Sequence, residues 1–202
     1  MTIRRAYADA VDFFVNTVQQ TPDGGWDCPA LGVWTVRDLA GHACRSLTLI
    51  GEYAAHPASQ ADIHSPAEYF KNALDGPPVH DSIAQRGKEA GLALGDDPVG
   101  WVRDAADGVL ALLEGMEDEA VLGLPLGGIR LADYLPTRTF ELTVHTLDLA
   151  EASNLKVQPP VQAMSQTLHI LADLALLRGH GPAAALALTG RHSLPAGFSL
   201  VG

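Results

Sequence analysis

Cysteine is nearly absent from this chain of 202 residues. Its two cysteines, Cys28 and Cys44, cannot form the disulfide framework of a secreted scaffold, and their spacing is not that of a zinc ribbon. Apolar runs are short as well: none approaches the ~18 residues of a membrane span. Asp9 and Asp12 interrupt the N-terminal stretch that a signal peptide would need. We therefore expect a cytoplasmic protein without a membrane segment.

Positive charge and aromatic residues are also scarce. Lys and Arg number 13 against 24 Asp and Glu, and the resulting net charge of −11 repels phosphate. We therefore expect neither nucleic acid nor a membrane surface as a partner. Aromatic residues make up only 6%, whereas Ala and Leu are abundant, which favours helices over a β-sandwich. Hydrophobic residues, at 47%, suffice for a sizeable core.

The spacing of the apolar residues predicts a helical bundle in one domain, 1–202, with a core at about 3–155 and a C-terminal helix and tail at 156–202. In the helix after residue 160, the pattern predicts five inward-facing residues: Val161, Met164, Leu168, Leu171 and Ala175. The Leu and Gly alternation at 121–131 predicts a small β-hairpin or an extended loop. The predicted main helices cover 3–20, 35–55, 98–115, 132–153 and 161–178, and shorter helical pieces are indicated at 67–74 and 83–94.

The second predicted helix begins with strong local signals. Thr35 and Asp38 match a capping box, in which each side chain accepts a hydrogen bond from the backbone of the other residue. Trp34 and Leu39 fit the hydrophobic staple that often accompanies such a cap. The start of this helix is therefore well defined by the sequence.

The fourth predicted helix places polar side chains in one row. Arg138, Glu141, His145 and Asp148 fall within a sector of about 80°, which also contains Tyr134. Glu141 and His145 are four residues apart, so both can point at one atom, and this pair suits a divalent metal, zinc in particular. A row of alternating charges is more often a solvated face with weak ion pairs, and both interpretations stay open.

His42, on the second predicted helix, is the candidate third ligand. Metal sites in bundles are assembled from inward side chains on facing helices. Two histidines and one glutamate would leave a fourth coordination position open, as in catalytic zinc sites. A lone histidine at the edge of an apolar stripe is more often a core residue with a hydrogen-bonded neighbour, so this alternative also stays open.

Two stretches resemble the mycothiol-dependent maleylpyruvate isomerase family. WDCP at residues 26–29 and VWTVRDLAGH at 33–42 are similar to its pattern W-x-x-P … G-W-T-V-x-D-L-x-x-H. RTFELTVHTLDLA at 138–150 is similar to R-x-x-E-x-x-V-H-x-x-D-L-A. The resemblance extends over about residues 5–155. It implies an all-α, DinB-like four-helix bundle with extra short helices and a small hairpin.

The resemblance also implies chemistry. It places a zinc ion, or another divalent metal, on His42, Glu141 and His145, with mycothiol as the thiol cosubstrate. The activated thiol would then react with a small electrophile by addition, isomerisation or transfer. Asp148 would accept the free N–H of His145, and Arg138 would bind a substrate carboxylate, although each residue could equally form a simple ion pair within the helix.

Two other functions fit the same residues. One is a non-catalytic bundle that binds a metal or a ligand in a stress or regulatory role, and the other is a metal-dependent hydrolase. The isomerase carries a C-terminal domain of its own, and we expect no counterpart of it among the few residues after the fourth predicted helix. A homo-oligomer is compatible with the sequence.

Overall fold

The computed structural model describes residues 2–75 and 80–201, without the side chains of residues 80–82. Within these residues it contains eight α-helices and one antiparallel hairpin, as the sequence predicts for an all-α bundle. None of these helices combines the length and the apolar character needed to span a bilayer. The helices are α1 (Ile3–Gln19), α2 (Val36–Ala54), α3 (Pro66–Asp75), α4 (His80–Ala93), α5 (Pro98–Glu114), α6 (Leu131–Ala152), α7 (Val161–Leu177) and α8 (Gly181–Leu188). The strands are β1 (Val121–Leu124) and β2 (Gly127–Arg130).

Helices α1, α2, α5 and α6 form the bundle. Helix α6 packs against α1 and α2, and α5 packs against the same two helices. Their facing sides supply most of the main core, in which Tyr7, Phe14, Leu39 and Leu135 are fully or almost fully buried. This arrangement brings one face of α2 next to one face of α6, which is what a site shared by these helices requires.

The capping box predicted for α2 is present. The backbone N–H of Asp38 donates to the Thr35 hydroxyl at 3.2 Å, and the backbone N–H of Thr35 donates to the Asp38 carboxylate at 3.0 Å. These bonds satisfy backbone donors that the first turn of a helix leaves free. They fix where α2 begins and therefore which of its residues face α6.

The hairpin closes the loop between α5 and α6. Gly127 in β2 has a φ of +118°, a conformation that L side chains rarely adopt. The Asp62 carboxylate accepts a hydrogen bond from the backbone N–H of Gly128 at 2.8 Å and so ties the hairpin to the segment before α3. Helix α6 follows directly, and Pro136 lies in its second turn, one turn later than a proline is usually found.

Helix α7 buries a face that only partly overlaps the predicted one: Ala175 is buried as predicted, and Leu171 packs against the second core. Val161 and Leu168 are exposed, whereas Thr167, Ile170 and Leu174 are buried. The helix is apolar over most of its circumference, so the spacing of its apolar residues does not single out one side. Packing against α3 and α6 decides the side instead and forms a second small core. Helix α8, an Ala and Leu run that the helical spacing did not predict, buries none of its residues.

Candidate metal centre

Three side chains from two helices converge where α2 faces α6. His42 comes from α2, and Glu141 and His145 come from consecutive turns of α6. One donor atom from each lies within 4.8 Å of the other two. The imidazole rings of His42 and His145 are 5.0 Å apart between centroids and nearly perpendicular, at 84°. The structure thus brings together all three of the ligands predicted from the sequence.

Two carboxylates flank the imidazole of His145. Its Nε2 lies 3.1 Å from Oε2 of Glu141, and its Nδ1 lies 3.2 Å from Oδ2 of Asp148. Burial alone would lower the pKa of His145, but the hydrogen bonds to Asp148 and Glu141 outweigh it and raise the pKa to about 9. Without a bound cation, His145 is therefore an imidazolium held between two anions at neutral pH.

Glu141 is ionised over the whole physiological pH range. Burial would raise its pKa, but the hydrogen bond with His145 and the positive charges of His145 and Arg138 prevail and hold the pKa at about 2. Its side chain keeps 23% of its surface exposed, and that of His145 keeps 14%. The pair is therefore shielded but remains open to solvent on one side.

His42 is neutral and makes no hydrogen bond to another described residue. Burial and the charge of His145 lower its pKa to about 4. Its Nδ1 is buried and makes no hydrogen bond with any residue that the structure describes. A buried ring nitrogen without a partner is costly, and a coordinated cation is one way to satisfy it. An unbonded nitrogen on one of the three converging side chains is compatible with a bound cation.

The donor set points the same way. Two imidazoles and one carboxylate suit zinc and other first-row divalent metals. Among the described residues, the group comprises three ligands and no fourth. A tetrahedral ion held by three protein ligands keeps one position for water or a substrate atom, which distinguishes catalytic from structural zinc sites.

Arg138 lies one turn of α6 before Glu141 and is buried. Its Nη2 donates to the Tyr69 hydroxyl at 3.1 Å, and its guanidinium lies 4.8 Å from the centroid of the Tyr134 ring. In the described part of the chain, no carboxylate lies within 4 Å of this guanidinium, and the buried Tyr134 hydroxyl has no hydrogen-bond partner. The structure thus places a buried cation beside the three ligands; Glu141 acts on it through its charge, but no described carboxylate contacts it directly.

Two residues next to the site make contacts that the sequence did not predict. Trp34, predicted only to pack as a staple, stacks on His42 with ring centroids 4.5 Å apart. Tyr69, on α3, was not singled out at all. Trp34 lies before the helix of His42, and Tyr69 lies on α3 whereas its partner Arg138 lies on α6. Helical spacing therefore gives no signal for either contact. The sequence signal that links Trp34 to His42 is the stretch VWTVRDLAGH at 33–42, which contains both residues.

Comparison with known proteins adds one match. A family model described as "Mycothiol maleylpyruvate isomerase N-terminal domain" matches residues 7–150. The matched range runs from the first turns of α1 almost to the end of α6 and contains His42, Glu141 and His145. No curated protein and no solved structure matches the chain.

Proposed function

This chain belongs to the mycothiol maleylpyruvate isomerase N-terminal domain family, and from that premise we propose that it is a metal-dependent enzyme that activates a small thiol. The thiol would be mycothiol, and the reaction would be addition, isomerisation or transfer on a small electrophile. The observation that carries this proposal is the convergence of His42, Glu141 and His145 on one point, with a buried nitrogen of His42 left unbonded.

In this proposal His42, Glu141 and His145 hold a zinc ion or another divalent metal. When bound, such a metal would supply the positive charge that lowers the pKa of a coordinated thiol, so that the thiol reacts as a thiolate at neutral pH. The partial exposure of Glu141 and His145 supports access of a small thiol to this point.

Asp148 acts in this proposal as a positioning residue. Its carboxylate lies 3.2 Å from Nδ1 of His145, which leaves Nε2 as the nitrogen that faces Glu141 and the metal position. A carboxylate on the far nitrogen of a ligating histidine fixes its tautomer and the orientation of its ring, and it makes the ligand more basic.

Arg138 binds the anionic end of the electrophile in this proposal. A guanidinium can hold a carboxylate through two parallel hydrogen bonds, and Arg138 lacks a carboxylate partner within the described residues. It lies three residues before Glu141, a rise of about 4.5 Å along the helix axis. A small acid held there would place its reactive carbon close to the metal position.

The first test is metal content. The purified wild-type chain should carry close to one divalent ion, and His42→Ala should lose it while keeping its helicity, because the bundle core rather than the ion holds the fold. His169→Ala, which removes an exposed histidine on α7, is the matched control and should retain the ion. Equal metal content in wild type and His42→Ala would refute this assignment.

The second test separates the proposed enzyme from the two alternatives. The metal-loaded chain should bind mycothiol more tightly than the metal-free chain does, and any turnover of maleylpyruvate, used as a probe, should require the thiol. Hydrolysis that proceeds without thiol would indicate a metal-dependent hydrolase instead. Metal binding without any response to thiol would indicate a non-catalytic binding protein.

A further inference from the structure

We propose that Trp34, held in place by α4, is the residue that positions His42 for metal binding. This inference rests on the proposed metal site. A ligating histidine is normally oriented by a hydrogen bond from its second ring nitrogen. His145 has that bond, to Asp148. Neither ring nitrogen of His42 is hydrogen-bonded to any described residue, so something else must fix the plane of this ring.

The indole of Trp34 is placed to do so. It stacks on the imidazole of His42 at 4.5 Å between centroids, with the two planes inclined by 33°. Its burial blocks rotation, since only 8% of Trp34 is exposed. The backbone of Trp34 is also fixed: its N–H donates to the carbonyl of Leu31 at 3.0 Å, and its own carbonyl accepts from Ala30 at 2.8 Å. A ring confined in this way limits rotation of His42 about its own side-chain bonds.

Helix α4 also contacts the indole and restricts its movement. Nε1 of Trp34 donates to the carbonyl of Ala84 at 3.0 Å, so the indole is hydrogen-bonded to this helix. Gly87 lies against the same ring: a Cβ at this position would come within 2.4 Å of Cε2 of Trp34. The absence of a side chain at Gly87 therefore lets the backbone of α4 pack directly on the indole.

The helix that confines Trp34 is itself anchored beside His42. A Cβ on Gly41 would lie 2.3 Å from the backbone nitrogen of Gly91, so α2 and α4 touch backbone to backbone at this crossing. Gly41 directly precedes His42 in the chain. Helix α4 thus contacts α2 at Gly91 and the indole of Trp34 at Gly87. The indole in turn contacts His42 on α2.

The test compares two tryptophans of equal burial in the segment before α2. Trp34→Leu removes the ring that stacks on His42. Trp26→Leu removes a ring that is also 8% exposed but lies under the Arg37 guanidinium, at 5.7 Å. Affinity for Co²⁺ is measured by its visible absorption, and the melting temperature of each metal-free chain is measured by circular dichroism. Trp34→Phe keeps an aromatic ring on His42 but loses the bond to Ala84.

We expect Trp34→Leu to weaken Co²⁺ binding about tenfold or more, the effect typical of losing a residue that orients a ligand, and Trp26→Leu to change it less than twofold. Trp34→Phe, which keeps a ring on His42 but loses the bond to Ala84, should bind Co²⁺ with an affinity between those of the wild type and Trp34→Leu. Equal Co²⁺ affinities in the two Leu variants would overturn the inference, whatever their melting temperatures. If Trp34→Leu does not fold, Gly87→Ala replaces it, because the added Cβ displaces the indole from α4 without altering Trp34. Its Co²⁺ affinity is then compared with that of Trp26→Leu, and we expect the same loss. Failure of the wild-type chain itself to bind Co²⁺ would instead remove the proposed metal site.

Discussion

Metal binding should displace the proton that His145 holds. In the metal-free site the pKa of His145 is about 9, whereas the pKa of His42 is about 4 and that of Glu141 about 2. At pH 7, His42 and Glu141 are therefore already in the form that binds a metal. His145 is not, because its imidazole must be neutral to donate a lone pair. Loading at pH 7 should release about one proton per ion.

The size of this competition follows from the same pKa. With a pKa of about 9, protonated His145 exceeds the neutral form about 10 to 1 at pH 8 and about 1000 to 1 at pH 6. The dissociation constant for Co²⁺ should therefore rise roughly ninetyfold between these two values. A histidine with its ordinary pKa of about 6.5 would give a rise of only about fourfold. The two expectations differ enough to be told apart.

Calorimetry measures both quantities. Titrations of Co²⁺ at pH 7 in two buffers with different ionisation enthalpies give the number of protons released, and titrations at pH 6 and pH 8 give the affinities. A water molecule on the ion could also release a proton. Asp148→Asn distinguishes the sources, since it lowers the pKa of His145 and should shift the pH dependence to lower pH. An affinity that changes less than fivefold, with no proton released, would refute the reasoning.

Two further substitutions test the packing of the bundle away from the ligands. Phe70→Ala on α3 removes a buried ring whose centroid lies 4.7 Å from that of Phe140. It should lower the free energy of unfolding by about 3–5 kcal/mol in urea titrations. The affinity for Co²⁺ should stay within twofold of the wild-type value. Arg4→Met removes the hydrogen bonds from Arg4 to the carbonyls of Leu113 and Met116 at the end of α5, together with a 2.7 Å ion pair to Asp118. We expect the free energy of unfolding to fall by about 1–2 kcal/mol in the same titrations. An unchanged urea midpoint would contradict this expectation.

The part of the site that lies on α6 was predictable because it is local. Four residues make slightly more than one turn, so any helix through 138–150 places Glu141 above His145. The same geometry brings Asp148 within reach of the other side of His145, as the structure shows. His42 is different, because nothing near it in the chain indicates what it faces. Only the packing of α2 on α6 brings it to the pair, and the resemblance of its motif to a known family supplied that information.

The role of α4 could not be predicted for a physical reason. Gly87 and Gly91 lower the helical propensity of this segment, and the sequence predicts only a short helical piece at 83–94 with no contact assigned to either glycine. In the folded chain they are points where α4 lies directly against the Trp34 ring and the backbone of α2. A glycine that weakens a helix can also permit a contact that no other residue allows, and local propensity records only the first effect.

The two histidines of the site are held by different kinds of interaction, and pH should separate them. Asp148 acts on His145 through charge and hydrogen bonding, so its loss changes how strongly protons compete with the metal. Trp34 acts on His42 through ring contact, and His42, with a pKa of about 4, is neutral at pH 6 and above. The loss of Co²⁺ affinity in Trp34→Leu should therefore be the same at pH 6, 7 and 8, whereas the loss in Asp148→Asn should shrink as the pH falls. If the loss in Trp34→Leu varied with pH, Trp34 would be acting on the protonation of His42 and not on its orientation.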